Sequence, residues 1–310
     1  MQKNEEEKIQ PLDEISLRMH QVRRLSTLRL SRDVLNTEAL MLILNKKYKD
    51  SNGSRILFKY MDAQEDLELM ARKQRVLEYL NSSPYKELEE LIIPEYVVNV
   101  DNAIAGFAMP LIENHRNLGS ILHSDKVSFA TKKKYLEQLG ALLDKVRKLD
   151  SPHKMLFADL NEFNFIIDRD EKMKAIDLDS SYIEGIAGLE SPILAYYLLN
   201  NVYLRSIPEK YDVKEDGYIC PNQNSDFYSY CMIILGTLAG EPMHRKEMDV
   251  YYQYLDYLKW IGLDPELVDV FFHIYSPKSN RNPRQLIEGI PDRITRKSNY
   301  KVFEKLKSEK

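Results

Sequence analysis

Glycine is scarce in this chain: 11 of 310 residues are glycine, and none lies between Met1 and Asn52. Glycine lets a backbone approach a phosphate closely because it has no side chain. Its absence therefore excludes a glycine-rich phosphate loop in the first fifty or so residues. Cysteine is scarcer still, and Cys220 and Cys231 are too few and too far apart for a metal knuckle. We expect reduced thiols and a cytoplasmic protein.

Long apolar runs and a strong net charge are also missing. No stretch of about eighteen apolar residues occurs, so we expect no membrane span and no membrane partner. The formal net charge of −4 provides no basic field, which argues against nucleic acid as a partner. The opening segment, residues 1–8, is polar and acidic and lacks the apolar core of a signal peptide.

The first sixty residues predict a helix followed by a β-hairpin. Residues 1–25 have apolar positions three and four apart, which predicts an N-terminal helical extension. Residues 40–44 form a compact apolar run, and residues 56–60 form a second one. The Asn-Gly turn signal between them, at residues 50–54, tolerates positive φ and joins the two runs as antiparallel strands.

The chain then predicts a helix, two more strands and a helical remainder. Residues 63–81 read as an amphipathic helix, and residues 92–98 and 103–109 read as strands. Pro110 has no N–H to donate, so the second of these strands should end there. Later helices are predicted at residues 129–149, 226–239, 247–261 and 265–275, followed by a frayed basic tail at residues 296–310.

The most informative pattern lies at residues 157–179. Asp159 and Asn164 are five positions apart and directly precede an apolar run, and Asp177 ends a second apolar run. Phosphoryl transfer needs an Asp that orients the attacking hydroxyl and accepts its proton, which suits Asp159. It also needs hard oxygen ligands for divalent ions, which suits Asn164 and Asp177. The pattern predicts a catalytic and metal-binding loop.

From about residue 30 to residue 290, the chain resembles a bacterial protein-kinase-like protein. The segment 157–164 is similar to the family's His-Arg-Asp-Leu-x-x-x-Asn catalytic loop. Four further segments follow in the family's order: Ile176–Asp179 in place of Asp-Phe-Gly, Ile207–Glu209 like Ala-Pro-Glu, Ser225–Tyr230 like the start of the central helix, and Ser276–Pro283 like Asp-Pro-x-x-Arg-Pro. The shared order and spacing make the set more specific than any one motif.

The resemblance implies an α+β, bilobal protein-kinase-like fold. Residues 26–112 would form a small N-lobe with an antiparallel sheet, and residues 113–295 a mostly helical C-lobe. ATP would lie between the lobes with Mg²⁺, and its γ-phosphate would pass to a Ser/Thr hydroxyl on a protein substrate.

The resemblance also implies roles for residues outside the central loop. Lys59, on the returning strand of the hairpin, would hold the ATP phosphates and contribute to catalysis. Met109, Leu111 and Ile112 would face the adenine at the hinge. Asp226 would anchor the backbone of the catalytic loop. Glu209 and Arg281 would form the buried ion pair of the C-lobe.

Several residues depart from the family pattern. Without glycine, something in Leu28–Ala39 must cover the phosphates. Phe157-Ala158 replaces His-Arg, and the lost Arg makes control by activation-loop phosphorylation unexpected. The helix glutamate that should pair with Lys59 falls near Lys73, which has the wrong sign, so Glu68 or Glu78 could serve instead.

Three hypotheses follow for the function. The first is an ATP- and Mg-dependent protein kinase. The second is a pseudokinase, a nucleotide-binding or scaffolding module with the same fold, suggested by the missing glycine-rich loop and the ambiguous glutamate. The third is a small-molecule kinase of the aminoglycoside or choline kind, against which the Pro208-Glu209, Asp226 and Arg281 set argues.

Overall fold

The computed structural model describes thirteen stretches of the chain. They are residues 9–25, 40–44, 48–49, 53, 55–61, 67–188, 221, 223–241, 243, 246–272, 283–291, 294 and 297–309. Helices and strands are both abundant there, so the protein has mixed α and β structure. The segment Leu28–Ala39, the motif Ile207–Glu209 and the predicted partner Arg281 lie outside the described residues.

The chain divides into two compact units. Unit 1 comprises Met1–Asn117, Leu149–Met155 and Ile166–Leu189, and unit 2 comprises Leu118–Lys148, Leu156–Phe165 and Glu190–Lys310. The predicted lobes are contiguous in sequence, whereas these units interleave. Asp159 and Asn164 therefore belong to unit 2, and Asp177 belongs to unit 1 together with Lys59.

Unit 1 is built on a five-stranded mixed sheet. Its strands are β1 (Asp13–Leu17), β2 (Leu40–Ile43), β3 (Ile56–Tyr60), β4 (Tyr96–Val100) and β5 (Ala103–Pro110), in the order β1-β4-β5-β3-β2. The antiparallel pairing of β2 with β3 confirms the predicted hairpin, and β5 ends at Pro110 as predicted. Asp101 and Asn102, with φ of 50° and 69°, form the tight turn between β4 and β5.

The N-terminal extension is not the continuous helix that the sequence predicted. Asp13–Leu17 is a strand that pairs in parallel with β4, and within the described residues 9–25 the helix is confined to Met19–Leu25 (α1). Ile15 and Leu17 alternate with polar residues and are both buried, which is the period of a strand. The apolar spacing of three and four across both segments imitated one continuous helix.

An apolar core and helix α2 complete unit 1 around the sheet residues. On one face, Ile15 and Leu17 share an apolar core with Val22 of α1 and with Ile56 and Phe58 of β3. Helix α2 (Leu67–Ser82) buries Met70, Lys73, Val76, Leu77, Tyr79 and Leu80. It packs against a short 3-10 turn at Leu178–Ser180, which follows Asp177.

The other strands of the described chain are short. They are β6 (Arg116–Asn117), β7 (Met155–Leu156), β8 (Phe165–Ile167), β9 (Met173–Ala175), β10 (Tyr182–Ile183) and β11 (Ala187–Gly188). Two three-stranded sheets have the orders β6-β8-β9 and β11-β10-β7. Strands β8 and β9 are the two apolar runs that flank the central motif, as the sequence predicted.

The described part of unit 2 is mainly helical. Its helices are α3 (Leu118–Leu122), α4 (Phe129–Lys148), α5 (Gln223–Ala239), α6 (Met248–Trp260), α7 (Pro265–Phe272), α8 (Pro283–Glu288) and α9 (Tyr300–Ser308). Helices α4, α5, α6 and α7 lie where the sequence predicted helices, whereas α8 and α9 were not predicted. No helix in the described stretches is both long and apolar enough to cross a membrane.

The C-terminal tail is a helix rather than a frayed segment. Asn299 caps α9 by accepting a hydrogen bond from the Lys301 amide, and Tyr300 and Phe303 are buried. Phe303 packs against Tyr254 and Tyr257 of α6, with ring centroids 5.7 and 5.4 Å apart. The basic composition of residues 296–310 concealed these two aromatic anchors.

Candidate functional site

Unit 1 brings together four charged side chains, which we call the charge cluster: Lys59, Lys73, Asp177 and Asp179. The Lys59 ammonium on β3 donates to Asp177 Oδ1. It also donates to both carboxylate oxygens of Asp179, and each of these two distances is 3.0 Å. The Lys73 ammonium on α2 lies 3.4 Å from Asp179 Oδ2 and contacts the sulfur of Met61. Residues 118 positions apart in sequence therefore meet at the predicted Lys59.

Burial makes each charge in this cluster depend on the others. Asp179 has no solvent exposure, and Lys59 and Lys73 are nearly as buried. Burial lowers the pKa of Lys59, but the charges of Asp179 and Asp177 outweigh it and raise that pKa. Burial raises the pKa of Asp179, but the two lysines outweigh it and lower that pKa. Lys59 and Asp179 are therefore charged at neutral pH.

Asp177 is the most accessible member of the cluster, with a side chain 19% exposed. Burial and the neighbouring charge of Asp179 raise its pKa to about 6, although Lys59 opposes the shift. Its backbone has a φ of 65°, in the left-handed region that Asp tolerates better than most residues. This conformation turns the chain from β9 into the 3-10 turn that carries Asp179.

Neither predicted glutamate is the partner of Lys59. Glu68 pairs with Arg72 one turn away on the exposed face of α2, and Glu78 accepts a hydrogen bond from Gln74. The buried charged residue of α2 is Lys73, whose positive charge had seemed wrong for a partner of Lys59. Lys73 suits this site because Asp179 supplies the carboxylate that contacts Lys59.

Gly106 fixes how closely β3 and β5 approach beside Lys59. Its φ is +145°, and a Cβ there would lie 2.0 Å from the Lys59 carbonyl oxygen. Any larger residue would have to push the Lys59 backbone away. Gly106 lies within the strand predicted at residues 103–109, but the sequence did not connect it to Lys59.

The predicted adenine-facing residues lie at and after the end of β5. Met109 is buried, and Leu111 and Ile112 are half-buried. The Leu111 amide donates to the Arg55 carbonyl at 2.8 Å, and His115 Nδ1 lies 2.7 Å from the Ile112 carbonyl oxygen. Met109 can supply apolar surface, while the Leu111 N–H and the Ile112 carbonyl already have protein partners.

Unit 2 contains a second set of polar residues, which we call the loop cluster: Asp159, Asn161, Asn164 and Asp226. Asn164 Nδ2 donates to the Asp159 backbone oxygen at 2.9 Å and to Asp159 Oδ2 at 3.2 Å. Asn161 Nδ2 donates to the other carboxylate oxygen, Oδ1, at 3.1 Å. Two amides thus orient the Asp159 carboxylate, and the Asn164 amide oxygen takes part in neither contact.

Asp226, near the start of α5, holds the loop from behind. Its Oδ2 accepts a hydrogen bond from the Phe157 amide at 3.0 Å, which confirms the predicted anchoring role. Burial raises the pKa of Asp226 to about 7, against the lowering effect of the backbone amides. Ala158, between Phe157 and Asp159, has a left-handed φ of 58°, so the anchored loop makes a tight turn at this point.

Glu162 gives the loop another attachment within unit 2. Its Oε1 lies 2.7 Å from Nε2 of His123, which follows α3, and the His123 ring stacks on Phe163. Asn161 Oδ1 also accepts from the Phe163 amide and caps the 3-10 turn at Glu162–Asn164. The turn that carries Asn164 is therefore fixed at both ends.

The structure joins the predicted site residues in two groups. Lys59 and Asp177 meet in unit 1, and Asp159 and Asn164 meet in unit 2. No role in the site was predicted for Asp179, Lys73 or Asn161. The sequence Asp-Leu-Asp at residues 177–179 could have indicated a role for Asp179, since it puts a second acid where the protein-kinase pattern has glycine.

The candidate metal ligands among the described residues are single oxygen donors rather than a preassembled cluster. No group of three or more His, Cys, Asp or Glu side chains is arranged to hold a metal ion in the described part of the chain. Asp177 and the Asn164 amide oxygen are hard oxygen donors of the type that Mg²⁺ prefers. Comparison with known proteins adds no assignment, since no family model and no curated protein matches the chain.

Proposed function

We propose that this chain is an ATP- and magnesium-dependent phosphotransferase with a bilobal protein-kinase-like fold. The observation that carries the proposal is the bond between Lys59 and Asp177. The sequence assigned these residues to phosphate and metal binding separately, and they meet across 118 residues. In phosphoryl transfer a lysine and a metal-binding aspartate act on the same group of phosphates.

The loop cluster supports the second half of the proposal. A residue that orients a hydroxyl must itself be held, because a small displacement of the reacting groups sharply reduces the rate. Asn161 and Asn164 hold the two carboxylate oxygens of Asp159, and Asp226 holds the preceding backbone. Asp159 is the proposed catalytic base, and Asp177 in unit 1 and Asn164 in unit 2 are each a proposed oxygen ligand for Mg²⁺. The ion would neutralise charge on the phosphates.

The proposed acceptor is a Ser/Thr hydroxyl of a protein. This part of the proposal depends on the resemblance of the segment around Asp226 to the protein-kinase type of central helix. The anchoring contact from Asp226 to Phe157 supports it. A small-molecule acceptor is the alternative that the same assay tests.

The test is γ-phosphate transfer from labelled ATP by purified protein, with a generic protein substrate and with small-molecule acceptors in parallel. Asp159→Ala and Asp177→Ala should each reduce transfer by roughly 100-fold to 10,000-fold. Asp170→Ala removes an exposed carboxylate in unit 1 and should leave the rate unchanged. Equal rates in the wild type and in the Asp159 and Asp177 variants would reject the assigned roles.

A pseudokinase is the second candidate, and one observation favours it. The charge cluster contains two lysines and two aspartates, so its charges cancel before any nucleotide or metal binds. A magnesium ion would have to compete with the Lys59 ammonium for Asp177. Thermal-shift titration separates the readings: stabilisation by ATP without turnover indicates a nucleotide sensor, and no shift at millimolar ATP indicates a scaffold.

A further inference from the structure

Two departures from the kinase pattern occur in one contact. The glutamate that the kinase resemblance predicts on α2 falls near Lys73, and the position two residues after Asp177, where the resemblance predicts glycine, carries Asp179. Taken singly, each substitution would put an extra buried charge beside Lys59. In the structure the two side chains lie 3.4 Å apart, and both are buried.

The contacts show which carboxylate controls Lys59. Asp179 has no solvent exposure, and both of its oxygens accept from the Lys59 ammonium at 3.0 Å. Its backbone belongs to the 3-10 turn that packs against α2, so its position is fixed by unit 1 itself. A carboxylate held in this way restricts the ammonium more than a flexible, exposed side chain could.

Charge bookkeeping explains why Lys73 accompanies Asp179. Lys59 with Asp177 and Asp179 alone would carry a net charge of −1, and the Lys73 ammonium brings the sum to zero. A glutamate at position 73 would instead give one lysine and three carboxylates, a net charge of −2. Buried charges without counter-charges are strongly unfavourable, so Lys73 and Asp179 are suited to each other and not to the family's residues.

We propose that Asp179 is the positioning residue for Lys59 and that Lys73 is the counter-charge that balances the buried Asp179 carboxylate. The carboxylate that the family places on the helix is supplied in this chain by the turn after β9. The role of Lys59 in holding nucleotide phosphates rests on the proposed function. The arrangement of the four charged side chains does not depend on the proposed function.

The first experiment measures the coupling between the two residues through thermal stability. Asp179→Asn leaves Lys59 and Lys73 with Asp177 as the remaining carboxylate, and it should lower Tm by roughly 6–15 °C. Adding Lys73→Met to Asp179→Asn removes the unbalanced ammonium, and the Met side chain has a length similar to that of Lys. This double variant should regain at least roughly 3 °C over Asp179→Asn.

The matched control is Lys86→Met in the same Asp179→Asn background. Lys86 is an exposed lysine of unit 1, outside the charge cluster, so its removal should not raise Tm. A double variant with Lys73→Met that is no more stable than Asp179→Asn alone would overturn the counter-charge role.

The second experiment tests whether Asp179 positions the Lys59 ammonium. It compares the affinities for ATP and for adenosine at a temperature where every variant is folded. Asp179→Asn removes the carboxylate charge and replaces one of the two Asp179 oxygens with an NH₂ donor, so the Lys59 ammonium keeps two acceptor oxygens instead of three. ATP affinity of Asp179→Asn should fall roughly 10-fold to 100-fold, while adenosine affinity changes less than about twofold. A purely structural role would weaken both ligands alike, and that outcome would overturn the positioning role.

The two experiments fail separately. If the wild-type protein binds no ATP, the proposed function is rejected, together with the role of Lys59 toward phosphate. The Tm comparison still decides whether Lys73 balances Asp179, because it requires no nucleotide.

Discussion

The charge cluster of unit 1 and the loop cluster of unit 2 hold their functional carboxylates by different means. In unit 1, Asp179 is fixed by two buried ammonium groups, so the interactions are between full charges. In unit 2, Asp159 is fixed by two side-chain amides, which are neutral donors. Asp159, Asn164 and Asp226 of the loop cluster are the residues that the resemblance to protein kinases predicts, whereas Lys73 and Asp179 of the charge cluster differ from it.

This difference shows which substitutions each kind of site tolerates. A site of neutral donors can change one member without leaving a buried charge unbalanced, because amide hydrogen bonds are worth only about 1 kcal/mol net. A site of buried charges can change only in compensating steps. Lys73 and Asp179 have the properties of such a compensated pair, and the comparison can be tested by removing members of each cluster.

The largest effect should come from removing the central charge of unit 1. Lys59→Met leaves Asp177 and Asp179 as neighbouring carboxylates, so it should lower the free energy of unfolding by about 3–5 kcal/mol. Chemical denaturation monitored by circular dichroism measures this. The control Lys86→Met, at an exposed position, should change it by less than about 0.5 kcal/mol. Similar values for the two variants would contradict the dependence of the cluster on Lys59.

A somewhat smaller effect is expected from the backbone that positions Lys59. Gly106→Ala would place a methyl group 2.0 Å from the Lys59 carbonyl oxygen, at a φ that L-residues rarely adopt. We expect a loss of about 2–4 kcal/mol from strain and forced displacement. Gly289→Ala is the matched control, because its added methyl group would meet nothing nearer than 3.7 Å. Equal tolerance of both changes would show that β3 and β5 separate easily.

The pH dependence of stability should identify the buried acid of unit 2. The pKa of Asp226 is raised to about 7, above its ordinary value of 3.8, so between these values the folded state binds more protons than the unfolded state. Its contribution to stability therefore falls as pH rises from about 4 to about 7, by at most about 1.4 kcal/mol per pH unit.

Comparison of Asp226→Asn with the wild type isolates this contribution. Asn keeps an oxygen that can accept from the Phe157 amide but does not titrate, so its stability should vary less with pH in this range. Asp170→Asn, which changes an exposed carboxylate, should keep the wild-type slope. An unchanged slope in Asp226→Asn would show that Asp226 is ionised throughout the range.

The smallest effect concerns the neutral donors around Asp159. Asn161→Ala removes both the cap on the Phe163 amide and the contact with Asp159, and it should cost about 1 kcal/mol of stability. Asn161→Ser restores a capping oxygen but has no amide to reach Asp159. We expect Asn161→Ser to recover stability while phosphate transfer stays reduced. Equal transfer by Asn161→Ser and the wild type would show that this contact does not orient Asp159.

Local patterns predicted much of the fold and part of the site. The β2-β3 hairpin, the end of β5 at Pro110 and helix α4 follow from turn chemistry, the missing N–H of proline and apolar periodicity. Strand β1 was missed because its partner β4 is about 80 residues away and no local signal marks a parallel pairing. Helix α9 was missed because two aromatic residues in a basic segment are a weak signal.

Sequence by itself determined the chemical identity of the candidate site. Asp159, Asn164 and Asp177 were chosen for side-chain chemistry and spacing, which are written in the order of the residues, and Lys59 was chosen through the resemblance to protein kinases. Which carboxylate holds Lys59 was decided only by the tertiary structure. Lys73 and Asp179 are 106 positions apart, and their opposite charges acquire a meaning only when folding buries them within 3.4 Å of each other. Charge compatibility in a buried site is a property of neighbours in space, whereas the sequence records only neighbours along the chain.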